Sequence, residues 1–560
     1  MSDIYWPKTF LFVGAGFTAQ LGVPTTAQQG DMFKALINDK TLQNISDRVK
    51  KAYGSNKYTP HIADLLCCLG DKLQSNLYDF DSDEQDAANR LFPELTTKRR
   101  NDLVRQLREI YDWDALKKII KIVPQSEDNG DYLRDLFNII DMHLKDGQGF
   151  YTISSKSENP IDEQYKDFIP PPRLVAARNC MHMLINLFFF IRYQEMLEKN
   201  DKRIRLQQYA ELIKTMSSLM QKEGRTSFTG ENAIQRDFYL FSYVVFSTNY
   251  DPILQWITFY SQKKANENSP YVGCPSRPIK LFNDFGVYMG IRQVENKYSI
   301  APRYPFNEAV VQRLNDTAHI GDRFVRIGKF YYPHGSCCLR ECKNCGKTIM
   351  TLGDSWDLFS DSVFPNPIIP AFKKSEPRSD KERNAFKNGR PDAIECPFCG
   401  NLTYLADTPL IMQTNFKGIN PPYLEEIQRE AKVCIENADH IVLLGYSFPK
   451  DDIIWRTVIA TRIARKHKEG KQLLCSIITG YSGPKHWIIG KEAIDSLIDE
   501  CIKDNDKSQA YSISTIKTAI EVFGIDNIRV YVGGIPNFWV DTSSIENAVS
   551  DLLNPNWKND

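Results

Sequence analysis

Histidine, asparagine, aspartate and cysteine recur in this chain in short clusters, each beside glycine or at the end of an apolar run. The densest cluster runs from Tyr331 to Cys345 and includes Pro333-His334-Gly335-Ser336-Cys337-Cys338 and Cys342-Lys343-Asn344-Cys345. His334 carries an imidazole, which titrates near neutrality and can take or give a proton. Cys342 and Cys345 form a Cys-x-x-Cys-Gly knuckle, repeated as Cys396-Pro397-Phe398-Cys399-Gly400. Two knuckles supply four thiolates, the donor set of a structural zinc with no open coordination position, so Zn2+ is expected to hold the fold and not to catalyse. Cys337 and Cys338 remain rival ligands on sequence alone. A metal held at Cys342 pins the backbone close behind His334 and fixes where that imidazole points.

Three further clusters carry chemistry of a different kind. Gly14-Ala15-Gly16 follows the apolar run Thr9–Val13, and glycines at a strand-to-helix turn let the backbone approach a pyrophosphate closely. The spacing from Gly14 and Gly16 to Gly22 is wider than the dinucleotide fingerprint, and a glycine turn without a ligand fits it too. Ser247-Thr248-Asn249-Tyr250-Asp251 ends a second strand-like run from Tyr239 to Phe246, where open α/β sheets bind their ligands. Taken alone, Asn249 to Pro252 reads more often as a turn or helix cap. Gly445-Tyr446-Ser447 is a second glycine turn, after the strand His440–Leu444.

The elements that must position these clusters are legible from periodicity. Strands and helices alternate from Leu410 onward: strand Leu410–Gln413, helix Pro421–Asn437, strand His440–Leu444, helix Ile453–Glu469 and strand Leu473–Ile478, the α/β pattern. Between about Asp31 and Phe238 the spacing is helical, as in Asn101–Tyr111 and Tyr132–Met142. Arg173–Asn200 reads as a helix too apolar all round to lie on a surface. Glu158–Ile161 and Ile169–Arg173 read as loops on account of their prolines. The expected organisation is a first strand, glycine loop and helix in 1–30, a helical insertion in 31–238, a catalytic segment in 239–336, a zinc-ribbon module in 337–405, and completion of the sheet with a C-terminal α/β extension in 406–560. Residues around Asp361–Arg390 are expected to loop out between the two knuckles.

Composition narrows the class. The 560 residues include 70 basic and 70 acidic side chains, so no global charge draws the chain to nucleic acid or to a membrane surface. No apolar run reaches spanning length and the first residues show no signal peptide, so the chain reads as cytoplasmic. In that compartment paired Cys-x-x-Cys motifs bind metal more readily than they form disulfides.

The ordered set Gly14-Ala15-Gly16, Thr248-Asn249-Tyr250-Asp251, His334-Gly335-Ser336, the two cysteine pairs and Gly445-Tyr446-Ser447 resembles the sirtuin-like family. The resemblance covers about 8–30 and 239–480. It implies an α/β fold with a Rossmann-like parallel sheet, a small zinc-ribbon module and, in this chain, a large helical insertion. It also implies that NAD is bound as substrate through Gly14, Ala15, Gly16, Thr18, Thr248, Gly445 and Ser447. Asn249 then orients the nicotinamide ribose or a water, Asp251 holds the carboxamide, His334 acts as general base, and Cys342, Cys345, Cys396 and Cys399 hold Zn2+.

Two departures from the deacylating members direct the reading. Gly22-Val23-Pro24 is followed by Thr25-Thr26-Ala27-Gln28, without the aromatic that shields the reactive ribose from water, and Met412–Phe416 replaces the segment that pairs with a substrate peptide. Water then becomes the expected nucleophile. The resemblance is strongest to the sirtuin-domain NAD hydrolases of bacterial anti-phage defence, which implies an antiviral, NAD-depleting hydrolase, with a homo-oligomer and a phage-derived or partner-protein activator as its expected partners. A deacylase or ADP-ribosyltransferase is the alternative enzyme, and a non-catalytic NAD or ADP-ribose sensor the alternative of another class.

Overall fold

The computed structural model describes residues 8–23, 25, 29–30, 64, 67–69, 80–93, 95–123, 129–152, 168–222, 243–265, 282–284, 293–294, 297–298, 327–350, 379–387, 393–396, 398–404, 407–411, 422–449, 452–479, 483–503 and 507–559. Its centre is an eight-stranded sheet, numbered here in chain order as β1 (Thr9–Val13), β2 (Tyr243–Ser247), β3 (Phe282–Asp284), β4 (Ile327–Tyr331), β5 (His440–Leu444), β6 (Leu474–Ile478), β7 (Ile488–Ile489) and β8 (Ile528–Tyr531). The spatial order is β7-β8-β6-β5-β1-β2-β4-β3. Seven strands run parallel, and only β7 pairs antiparallel, at the edge against β8.

Every residue of β1, β2, β5 and β6 is buried, as strands covered on both faces require. Two groups of helices supply the cover. Asn200–Lys222 packs on Ile253–Ala265 and on Ile545–Leu553, and Pro422–Asn437 packs on Ile453–Lys468, which meets Lys507–Phe523. By the right-handed crossover rule these groups belong on opposite faces, because the chain moves one way from β1 to β2 and the other way from β5 to β6. The strand order therefore reverses at β1, and the ligand crevice of an open α/β sheet belongs at the carboxyl ends there.

The register fixes which loops meet. Val13 pairs with both Ser247 and Leu444, and Phe246 pairs with Tyr331, so the residues after β1, β2, β4 and β5 emerge side by side. Below them Phe10, Phe12, Phe246, Tyr446 and Trp455 form an aromatic layer, with Phe12 stacked on Tyr446 at 5.3 Å and Phe246 edge-on to Trp455 at 4.6 Å.

Several expectations need adjusting. Ile169–Arg173 is not a loop throughout: Pro171 opens the long buried helix Pro171–Glu198, where a missing N–H costs nothing and φ is already helical. Leu410 makes only an isolated bridge to Gly335, and Met412 and Gln413 lie outside the described residues. Within Asp361–Arg390, Asp380–Lys387 is a helix, and 361–378 lie outside the described residues, as do Glu158–Ile161 and Tyr239–Ser242. The stretch after Lys491 completes the main sheet, since β8 pairs directly with β6. Among the described residues no helix is long and apolar enough to cross a membrane.

Candidate functional site

Gly14 and Gly445 are interlocked. A Cβ on Gly14 would lie 2.6 Å from the Gly445 carbonyl oxygen, and one on Gly16 would lie 2.8 Å from it. Gly445 has φ +58, and its own Cβ would meet the Phe17 nitrogen at 2.4 Å, so side-chain-free backbone is required in both loops. The Gly16 N–H donates to the Gly445 oxygen at 2.9 Å, and the Phe17 N–H donates to Gly14 at 2.9 Å. Close packing of two strand ends thus already demands these glycines. Ala15–Ala19 is a single short helical turn with Ala15 half-buried, and Ser447 lies exposed at the rim.

Asn249 and Asp251 are drawn to the same loop. The Asn249 amide donates to the Gly14 oxygen at 3.1 Å and to Thr18 Oγ1 at 3.3 Å, while Thr18 Oγ1–H donates to Asp251 Oδ2 at 3.0 Å. The Ile253 N–H donates to Asp251 Oδ1 at 3.1 Å, an Asx turn that leads the chain into the helix that follows. Burial pushes the Asp251 carboxyl up to about 6, against the pull of the Ile253 and Thr18 donors. Thr248 holds the register through its N–H to the Val13 oxygen at 3.0 Å.

His334 stands at the end of β4, 2 % exposed. Its carbonyl accepts from the Ile411 N–H at 2.9 Å, and the Cys337 N–H donates to the Tyr250 oxygen at 3.0 Å, tying this loop to that of Asn249. Gly335 has φ +78, and a Cβ there would fall 1.6 Å from the Pro409 carbonyl oxygen, so the Pro409–Ile411 backbone clamps the loop through glycine alone. The His334 Nε2 lies 3.7 Å from Asp452 Oδ1. Asp452 also accepts from the Tyr446 hydroxyl. Sequence reading passed over Asp452 because an aspartate before a helix reads as an ordinary cap, and passed over Gln255, whose Oε1 accepts from Ser336 Oγ at 2.6 Å and from Cys338 Sγ at 2.7 Å.

The four expected ligand sulfurs do meet. Cys342, Cys345, Cys396 and Cys399 place their Sγ atoms within 4.8 Å of one another, with Cys342–Cys399 at 3.5 Å and Cys345–Cys396 at 3.7 Å. A tetrahedron with Zn–S bonds of about 2.3 Å has edges of about 3.8 Å, so this donor set fits a zinc-sized ion. Both knuckles are built alike. Gly346 and Gly400 sit at φ +67 and +70 and donate to the Cys342 and Cys396 oxygens at 2.8 and 2.9 Å. The Asn401 N–H and the Asn344 side chain bring the Cys399 thiol down to about 6, toward the ligating thiolate. Burial pushes Cys396 the other way, and coordination to a divalent metal deprotonates a thiol outright. Cys337 and Cys338 are fully buried, Cys338 against Gln255, and both stand outside the cluster.

The structure therefore brings Gly14, Gly16, Thr18, Thr248, Asn249, Asp251, His334 and Gly445 to the carboxyl ends of the adjacent strands β4, β2, β1 and β5, with the four-cysteine cluster one hairpin away. No protein-family model matches the chain, and no curated protein sequence matches it.

Proposed function

We propose that this protein is an NAD+ glycohydrolase that cleaves the nicotinamide–ribose bond to give ADP-ribose and nicotinamide, on a Rossmann-like sheet steadied by a zinc ribbon. The observation that carries the reading is the convergence of a glycine loop, an Asn–Asp pair and a histidine at the strand-order reversal, where α/β sheets bind nucleotides. Bond cleavage passes through an oxocarbenium-like state whose electron pair leaves with nicotinamide. Asp251 holds the carboxamide and keeps the nicotinamide turned. Asn249 aligns the ribose and a water on the anomeric carbon. His334 takes the proton that the water or a ribose hydroxyl gives up, so the sum is NAD+ plus water to ADP-ribose, nicotinamide and a proton. The Gly14–Gly16 loop and Gly445–Ser447 lie against the pyrophosphate and the adenosine ribose.

Asn249 spends its amide on Gly14 and Thr18, and Asp251 its oxygens on Thr18 and Ile253, so substrate has to exchange these bonds for its own. That commitment favours a second reading, a sensor that binds the nucleotide without turning it over. It also fits a resting state: an NAD-depleting enzyme of antiviral defence has to stay off until a phage-derived or partner-protein activator arrives, acting on a homo-oligomer. Incubating the protein with NAD+ and separating the products by chromatography tests the reading. Release of nicotinamide and ADP-ribose is expected, with Asn249→Ala and His334→Ala each reducing it at least about 100-fold while leaving folding intact. Deacylation of an acyl-lysine peptide with no hydrolysis in its absence would overturn it, and nucleotide binding without turnover supports the sensor.

A further inference from the structure

We propose that Asp452 is a positioning residue for His334: its carboxylate holds the imidazole proton on Nε2 and leaves Nδ1, buried in this structure, as the unprotonated nitrogen. The catalytic consequence rests on the glycohydrolase reading, while the pairing itself rests on the geometry.

Asp452 is the N-cap residue of Ile453–Lys468, yet its side chain makes no capping hydrogen bond. An aspartate there ordinarily accepts from the second or third helical N–H, to the helix's benefit. Here the backbone carbonyl does the helical work, accepting from the Trp455 and Arg456 N–H groups at 3.1 and 3.2 Å, and the carboxylate turns inward. It is 2 % exposed, with Oδ1 facing His334 Nε2 at 3.7 Å and Oδ2 accepting from the buried Tyr446 hydroxyl. A carboxylate drawn away from its local donors and buried against a histidine and a tyrosine needs a reason beyond the helix.

Two of the described residues ahead of it are tightly specified. Gly445 turns at φ +58, and Phe448, fully buried, adopts φ +54, a conformation that costs a bulky residue energy and survives only where the surroundings impose it. Arg456 imposes it, donating to the Phe448 oxygen at 2.6 Å and lying 5.0 Å over its ring. On the opposite side the Ile411 N–H and the Pro409 carbonyl fix the His334–Gly335 backbone. The contact joins loops from β5 and β4, which are not neighbours: β1 and β2, carrying Gly14 and Asn249, lie between them. The pair thus closes over the strand ends that hold the other candidate groups.

A separation of 3.7 Å is in ion-pair range and longer than a hydrogen bond, as catalytic contacts often are before substrate binds. A carboxylate facing Nε2 selects the tautomer with the proton on that nitrogen, and it stabilises the imidazolium once Nδ1 takes a second proton.

The test uses full-length protein with 15N-labelled histidine, a long-range 1H–15N correlation recorded where the imidazoles are neutral, and His334→Ala to assign the signal. The expected pattern is protonated Nε2 and unprotonated Nδ1 in the wild type, lost in Asp452→Ala and in the isosteric Asp452→Asn. NAD+ cleavage is measured in parallel with metal content and melting temperature. Asp452→Asn is expected to lower kcat at least about 30-fold with KM within about threefold, Asp452→Glu to recover part of it, and Tyr446→Phe to cost less than about tenfold. A wild-type Nδ1–H tautomer, an Nε2–H pattern unchanged in both Asp452 variants, or full activity in Asp452→Asn overturns the proposal. If the wild type cleaves no NAD+ but the His334 tautomer follows Asp452, the glycohydrolase reading falls and the pairing stands.

Discussion

At the scale of single residues, Asp251 carries the clearest pH dependence. Its folded-state carboxyl is raised to about 6, above the ordinary value of 3.8, chiefly by burial. A group raised on folding contributes stability that is fully present below its unfolded value and lost as pH rises through its folded value. The shift corresponds to about 3 kcal/mol at most. Asp251→Asn removes this term, so the melting temperature of the wild type minus that of the variant should fall between pH 4 and pH 7, and a constant difference contradicts the assignment. The same titration bears on function: below about pH 6 the carboxyl becomes protonated and loses acceptor capacity, so KM for NAD+ should rise on acidification in the wild type and stay flatter in Asp251→Asn. Residue types and spacing made the four-cysteine set readable, and the resemblance singled out Asn249, Asp251 and His334. Asp452 was not, because its role is set by a histidine far away in sequence.

At the scale of elements, the two glycine loops and the two knuckles are the parts that tolerate least change. Gly335→Ala places a methyl group 1.6 Å from a carbonyl oxygen in a left-handed turn, so the Pro409–Ile411 segment has to move. A loss of at least about 2 kcal/mol in chemical denaturation is expected, with His334 displaced; a fully stable and active variant contradicts the clamp. Chelation or Cys342→Ser should release about one zinc per chain, lower the melting temperature and reduce NAD+ cleavage through the position of His334. A chelated protein with unchanged melting temperature shows instead that the cluster carries no structural metal. The knuckles were legible because metal geometry is local. The glycine motif pointed to a phosphate, whereas the interlocking of Gly14 with Gly445 is a tertiary reason for these glycines that no spacing rule contains. Pro171 misled for the opposite reason, since proline marks a helix start as readily as a loop.

Across the whole molecule, the alternation of strands and helices after Leu410 gave the α/β class, whereas the order of the strands could not be read from one-dimensional pattern. The helical segment is also less separable than its periodicity suggested. From Asn200–Lys222 the Tyr209 hydroxyl donates to the Phe17 oxygen at 2.7 Å, Lys202 donates to Gln20 at 2.6 Å, and Gln208 accepts from Trp539 Nε1 at 3.1 Å. This helix therefore braces the far end of the glycine loop, and Tyr209→Phe should cost about 1 kcal/mol of stability and raise KM for NAD+ more than it lowers kcat. If assembly switches the proposed activity on, light scattering should show a mass above that of one chain in the active state, and a monomer at rest and in activity contradicts that route. The central claim is tested most directly by one measurement, NAD+ consumption by the wild type beside Asn249→Ala. Conversion of NAD+ to nicotinamide and ADP-ribose by the wild type, lost at least about 100-fold in the variant, is the predicted result. Equal rates in the two proteins, or NAD+ left intact by the wild type under every activating condition, contradict it.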